Sequence, residues 1–125
     1  MQELKGVRVT VDDVIYMPSL ETPPDKPHPF VYFISIRNAG DEGVTIEGRK
    51  WIVREGEEMT VVEGEGVVGQ TPGIAPGEVF SYNSYHVIAA DAEAEGAFFG
   101  RSDSGTWGFV RIPKFEMKVP GRPLR

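Results

Sequence analysis

Gly64-Glu65-Gly66-Val67-Val68-Gly69-Gln70-Thr71-Pro72-Gly73-Ile74-Ala75-Pro76-Gly77 is the stretch on which the reading of this chain turns. Its first six residues spell GxGxxG. In a dinucleotide-binding fold the last glycine of that pattern opens a helix whose N-terminus receives the pyrophosphate. Here Pro72 and Pro76 lack amide donors, and Gly73 and Gly77 weaken a helix further, so none starts. The same residues read G-x-x-x-x-G-Gln-Thr and fall short of a phosphate-binding P-loop by the lysine that would reach the phosphates. Gln70 stands in its place, and Glu63 and Glu65 would repel an anion. A neutral cradle of peptide amides can still hold phosphate. Gly64, Gly66, Gly69, Gln70 and Thr71 are therefore kept as a candidate ligand loop for a nucleotide or polyphosphate (pyrophosphate), bound weakly. The reading adopted is a compact structural loop packed by Val67, Val68 and Ile74, with Gly66 and Gly69 in positive-φ conformations or where no Cβ fits.

Outward from the loop the chain alternates. Met59-Thr60-Val61-Val62 leads into it, and Glu78 to Ala89 follows, with Phe80, Tyr82 and Ser84 on one face of a strand and Val79, Ser81, Asn83 and Tyr85 on the other. Phe30 to Asn38 repeats the pattern through Tyr32, Ile34 and Ile36. Val44 to Arg54 does so with a bend or bulge at Gly48. Val7, Val9 and Val11 share a face that Ile15 and Met17 continue. Pro18 to Pro29 packs five prolines into twelve residues and reads as an extended, exposed connection whose Pro24-x-x-Pro27 is a minimal docking pattern. Asp91 to Glu95 reads as an acidic connection. Gly96 to Ser102 and Trp107 to Ile112 form a hairpin, and Phe115, Met117 and Val119 alternate after it. Apolar residues nowhere recur at helical spacing, so seven or so short strands separated by turn residues predict a β-sandwich.

Composition bounds the function. A chain of 125 residues makes a single domain over 1–125, with 1–6 and 121–125 expected as loose termini. The absence of cysteine removes disulfides, zinc-thiolate sites and thiol catalysis, and is compatible with a reducing cytosol. The charged N-terminus lacks a signal-peptide core, and the longest apolar run, Phe30 to Ile34, is far too short to span a membrane. A net charge of −6 speaks against nucleic acid as a partner.

Gly48-Arg49-x-Trp51, Glu63-Gly-Glu-Gly-Val-Val-Gly69, Pro72, Ile74-Ala-Pro-Gly77, Tyr82-x-Ser84 and Ile112-Pro113-x-Phe115 occur in the order seen in the ApaG family, which the chain resembles from about Phe30 to Pro120. The resemblance implies an immunoglobulin/fibronectin type III-like sandwich of two antiparallel sheets with about seven or eight strands. It implies a small cytoplasmic bacterial protein and, from related domains in larger proteins, a protein-interaction role. The family supplies no catalytic residues to carry over. The proline-rich stretch before Phe30, and Ala92 and Ala94 where the family commonly shows Gly and Met, depart from its pattern.

Catalytic chemistry is thin. His28 lies between prolines in a segment expected to move. His86 shares a strand face with Ser84, but adjacent strand residues point side by side and no third group orients the base. Asp12-Asp13 and Asp91-x-Glu93-x-Glu95 lack the spaced ligand loop of a calcium site and read as solvated surface. No catalytic residue, metal or cofactor is expected. Charge is uneven, with eight carboxylates against three basic residues from Asp41 to Glu65, which favours steering of a charged partner. Phe33, Trp51, Tyr85 and Trp107 cannot all point inward and form the candidate interaction surface. The sequence thus predicts a non-enzymatic binding module for an unidentified protein. Homodimerisation through sheet edges remains compatible, and an anion or nucleotide in the glycine loop is the alternative.

Overall fold

The computed structural model describes residues 1–121. They form nine strands: β1 (Gln2–Glu3), β2 (Val7–Tyr16), β3 (His28–Asn38), β4 (Val44–Glu55), β5 (Glu58–Glu65), β6 (Gly73–Ile74), β7 (Val79–Ile88), β8 (Ala92–Ser102) and β9 (Trp107–Met117). The seven long strands are those the alternation demands, and two two-residue strands are added to them. No helix occurs among the described residues, so none there is long and apolar enough to cross a membrane.

The strands make two sheets, one in the order β1-β9-β8-β4-β5 with β6 also on β4, the other β2-β3-β7. Pairing is antiparallel except where Gln2 and Glu3 run parallel to Gly108 and Phe109. That pair corrects two expectations. The sheets are not wholly antiparallel, and residues 1–6 are not loose, because Leu4 donates its amide to the Phe109 carbonyl at 2.8 Å and buries its side chain in the core. Of the tail expected to be loose, 121–125, all but Gly121 lies outside the described residues.

Between the sheets the inward faces meet in one apolar cluster that includes Ile34, Ile36, Ile46, Trp51, Ile88, Phe98 and Met117. Asn38 is fully buried and satisfied: Nδ2 donates to the carbonyls of Glu42 and Ile74, and Oδ1 accepts from the Gly40 amide, tying the β3–β4 turn to β6.

Local irregularities overturn three details of the pattern. A bulge between Val11 and Asp13 adds one residue to β2. A one-residue shift exchanges the two faces of a strand. Val14 and Tyr16 therefore pack on the core, while Ile15 turns outward. From Ala92 on, the acidic connection expected at 91–95 is instead the start of β8, where Ala92 and Ala94 are buried and alternate with Glu93 and Glu95. Their carboxylates pair with Lys114 and Arg54. His28 is the first residue of β3, its Nδ1 at 2.9 Å from the Tyr16 hydroxyl, which fixes a ring expected to be mobile.

On one side the sandwich is closed by β2 packing against β9. On the other, β5 and β7 are the free edges of their sheets, and a cleft opens between them.

Candidate functional site

The glycine loop is a tight hairpin. Val67 and Gln70 exchange amide-to-carbonyl hydrogen bonds at 2.7 and 2.9 Å, with Val68 and Gly69 between them at φ 44° and 79°. Two successive positive-φ residues inside such a pair are the signature of a type I′ turn. Gly66 precedes it at φ 66°, where a Cβ would collide with the Gln70 carbonyl oxygen. Both glycines thus have the positive φ that a structural loop requires. Val67 and Ile74 pack in the core as expected, but Val68 does not: the turn points it to solvent. The amides of Gly66, Val67 and Gln70 are all spent on backbone carbonyls, of Glu47, Gln70 and Val67 respectively. Gly64 lies against the Arg49 guanidinium, and Thr71 is exposed.

A β-branched residue is out of place at the first central position of a type I′ turn, where Asn or Gly is preferred. Val68→Asn should therefore raise stability by about 1 kcal/mol, read as a higher urea midpoint. An unchanged or lower midpoint would mean that Val68 makes contacts worth more than the strain.

Arg49 joins this loop to the cleft. Its Nη1 donates to the carbonyls of Glu65 and Gly66 at 2.8 and 3.1 Å. Strand alternation puts Arg49, Trp51 and Val53 on one face of β4. Register places Tyr82, Ser84 and His86 of β7 beside Ile34, Tyr32 and Phe30 of β3. The facing rows enclose a cleft of about 340 Å³ lined by Arg49, Tyr32, Trp51, Ser84, Tyr85 and His86, with Lys26, Glu55, Thr60 and Val62 toward the mouth. Lys26, from the proline-rich connection, sits 3.3 Å from Glu55.

Its inner wall is a ring cluster. The Trp51 ring centroid lies 4.8 Å from that of Tyr32, 4.7 Å from His86 and 5.8 Å from Phe115. Tyr32 and His86 are 4.8 Å apart. Burial lowers the His86 pKa to about 4, so the imidazole is neutral at pH 7. Burial raises the Tyr32 phenol despite the nearby charge of Arg49, and it raises Tyr82 as well. Trp51 Nε1, Tyr82 Oη and His86 Nε2 are buried and have no hydrogen-bond partner. Ser84 and His86 share a face as the sequence implied, but His86 Nε2 has no hydrogen-bond partner, and no nucleophile–base pair is formed.

The four candidate surface aromatics do not come together. Trp51 is 2% exposed and belongs to the core, because its face of β4 is the inward one. Tyr85 is exposed and Phe33 half-buried on the outer face of β2-β3-β7, whereas Trp107 is exposed on the other sheet. What sequence reasoning missed is the cleft itself. Its signal was the inward register of Arg49 and Trp51 with Ser84 and His86, which becomes a site only once β4 and β7 are known to face each other. Among the described residues no cluster of metal-ligating side chains is present.

A sequence-family model described as the ApaG domain matches residues 18–100. The protein named ApaG from Enterobacter sp. (strain 638) is 38% identical over 108 residues, 85% of this chain and 86% of that one. Its namesake from Citrobacter koseri is 36% identical over the same shares. The crystal structure of the ApaA-named protein from Bordetella pertussis superposes with a TM-score of 0.83 at 30% identity, covering 96% of this chain and 98% of that one.

Proposed function

The chain belongs to the ApaG domain family, and from that premise we propose that it is a non-enzymatic cytoplasmic module that binds an extended segment of a partner protein along the free edge of β5. The observation that carries this reading is the edge itself. β5 pairs with β4 on one side only, and Met59, Val61 and Val62 are 59%, 45% and 42% exposed. An unpaired strand that shows apolar side chains on both faces is a template for strand addition.

Charge selects the occupant. Glu57, Glu58, Glu63 and Glu65 border the apolar centre, and the stretch 55–65 contains no basic residue. A partner strand with lysine or arginine flanking apolar residues would complement it. A second copy laid antiparallel on the same edge would bring glutamates against glutamates, so self-association is disfavoured. The nucleotide reading of the glycine loop ranks below this one, because three of the loop amides are already bonded within the protein.

A photo-crosslinking residue at position 61 tests the proposal in a native lysate. It should capture a discrete protein through a basic extended segment, capture should fall as salt is raised, and Met59→Lys should sharply reduce it at unchanged melting temperature. Equal capture from position 107, or a crosslink to a second copy of the chain, would refute it.

A further inference from the structure

The cleft between β5 and β7 holds more hydrogen-bonding capacity than the protein uses. Arg49 spends Nη1 on two carbonyls, and among the described residues no carboxylate forms an ion pair with it. The other cation lining the cleft, Lys26, is already engaged by Glu55. One positive charge is thus left over in a partly enclosed space. Two residues lining that space, Trp51 and His86, each carry a buried ring nitrogen without a partner. Native proteins rarely leave such groups unsatisfied without a reason. The remaining walls are largely apolar, with Tyr32 and the valines 53, 62 and 87, and include the hydroxyls of Thr60 and Ser84.

We infer that this cleft is a binding site for a small aromatic monocarboxylate, with the carboxylate on the Arg49 guanidinium and the ring among Trp51, Tyr32 and Val62. A planar fork of donors matches a carboxylate better than any other simple anion of single charge. A dianion would find no second free cation, since His86 is neutral and Lys26 is taken. A volume of about 340 Å³ lies at the small end for ligand pockets and suits one ring rather than a dinucleotide. The inference stands apart from strand addition, because it uses no backbone group of the β5 edge.

Benzoate is the probe. The protein has two tryptophans. Trp107 lies exposed on the larger sheet, outside this cleft, so its indole N–H serves as an internal control in a ¹H–¹⁵N titration. Benzoate should shift the Trp51 indole signal saturably at millimolar concentration and leave Trp107 in place. Neutral benzamide should bind at least about tenfold more weakly, as expected from loss of a charge-assisted hydrogen bond. Arg49→Lys should weaken benzoate binding. Because Arg49 also holds the loop, Val62→Glu is the second variant: it sets a carboxylate at the exposed mouth, leaves the fold intact, and should weaken benzoate by a similar factor. A Trp51 signal that never saturates, a benzamide affinity equal to that of benzoate, or parallel movement of Trp107 would each overturn the inference.

Discussion

Trp51→Ala should remove about 3–5 kcal/mol of stability, a large share of what holds a domain of this size together. The indole, the largest ring of the cluster, packs against rings from three other strands, Tyr32 on β3, His86 on β7 and Phe115 on β9. It therefore fastens the two sheets to each other at the end where the sandwich is open. Alanine would forfeit the buried area and leave a cavity, and the flanking strands cannot collapse into it without breaking the β4–β8 register. Trp51→Phe separates packing from the indole nitrogen. It keeps an aromatic ring and also deletes a buried donor that has no partner, so it should cost less than half as much. Chemical denaturation of both variants checks this, and a loss below about 1 kcal/mol for alanine would show that Trp51 is not the fastener.

The same residue marks how far the sequence could be read. Alternation alone located the seven long strands, because one buried face and one wet face impose a period of two on every strand of a sandwich. It also placed Tyr82, Ser84 and His86 on one face. It could not say which face of β4 was inward, so Trp51 was assigned to the surface although it lies at the centre of the core. The bulge at Val11–Asp13 was equally silent. Asp12 is a normal exposed residue in composition, and only the pairing with β3 shows that it is the extra one. The short parallel β1 had no signal, since two residues carry no periodicity. The glycine loop was legible for the opposite reason. Positive-φ turns need glycine, and the prolines exclude a following helix, so local chemistry alone decided its conformation. A cleft between edges of two different sheets is a property of topology, and no local pattern announces it.

Stability should fall as pH drops from 7 to 4, and His86 should account for about 3 kcal/mol of the fall. Folding buries the imidazole among Tyr32, Trp51 and Phe115, which disfavours the charged form and lowers its pKa from 6.5 to about 4. The unfolded chain therefore binds this proton below pH 6.5, whereas the folded protein takes it only near pH 4. The contribution is fully present above pH 6.5, is lost progressively as pH falls, and levels off below about 4. Carboxylates as a class titrate across part of the same range. The comparison that isolates the imidazole is thus with His86→Phe, which keeps a ring in the cluster and carries no proton at any pH. Denaturation free energies of the two proteins, measured at intervals between pH 7 and pH 4, should converge or cross in favour of the variant as pH falls. Parallel curves would mean that the imidazole is solvated well enough to charge in place, and the wall of the cleft would then be wetter than its geometry indicates.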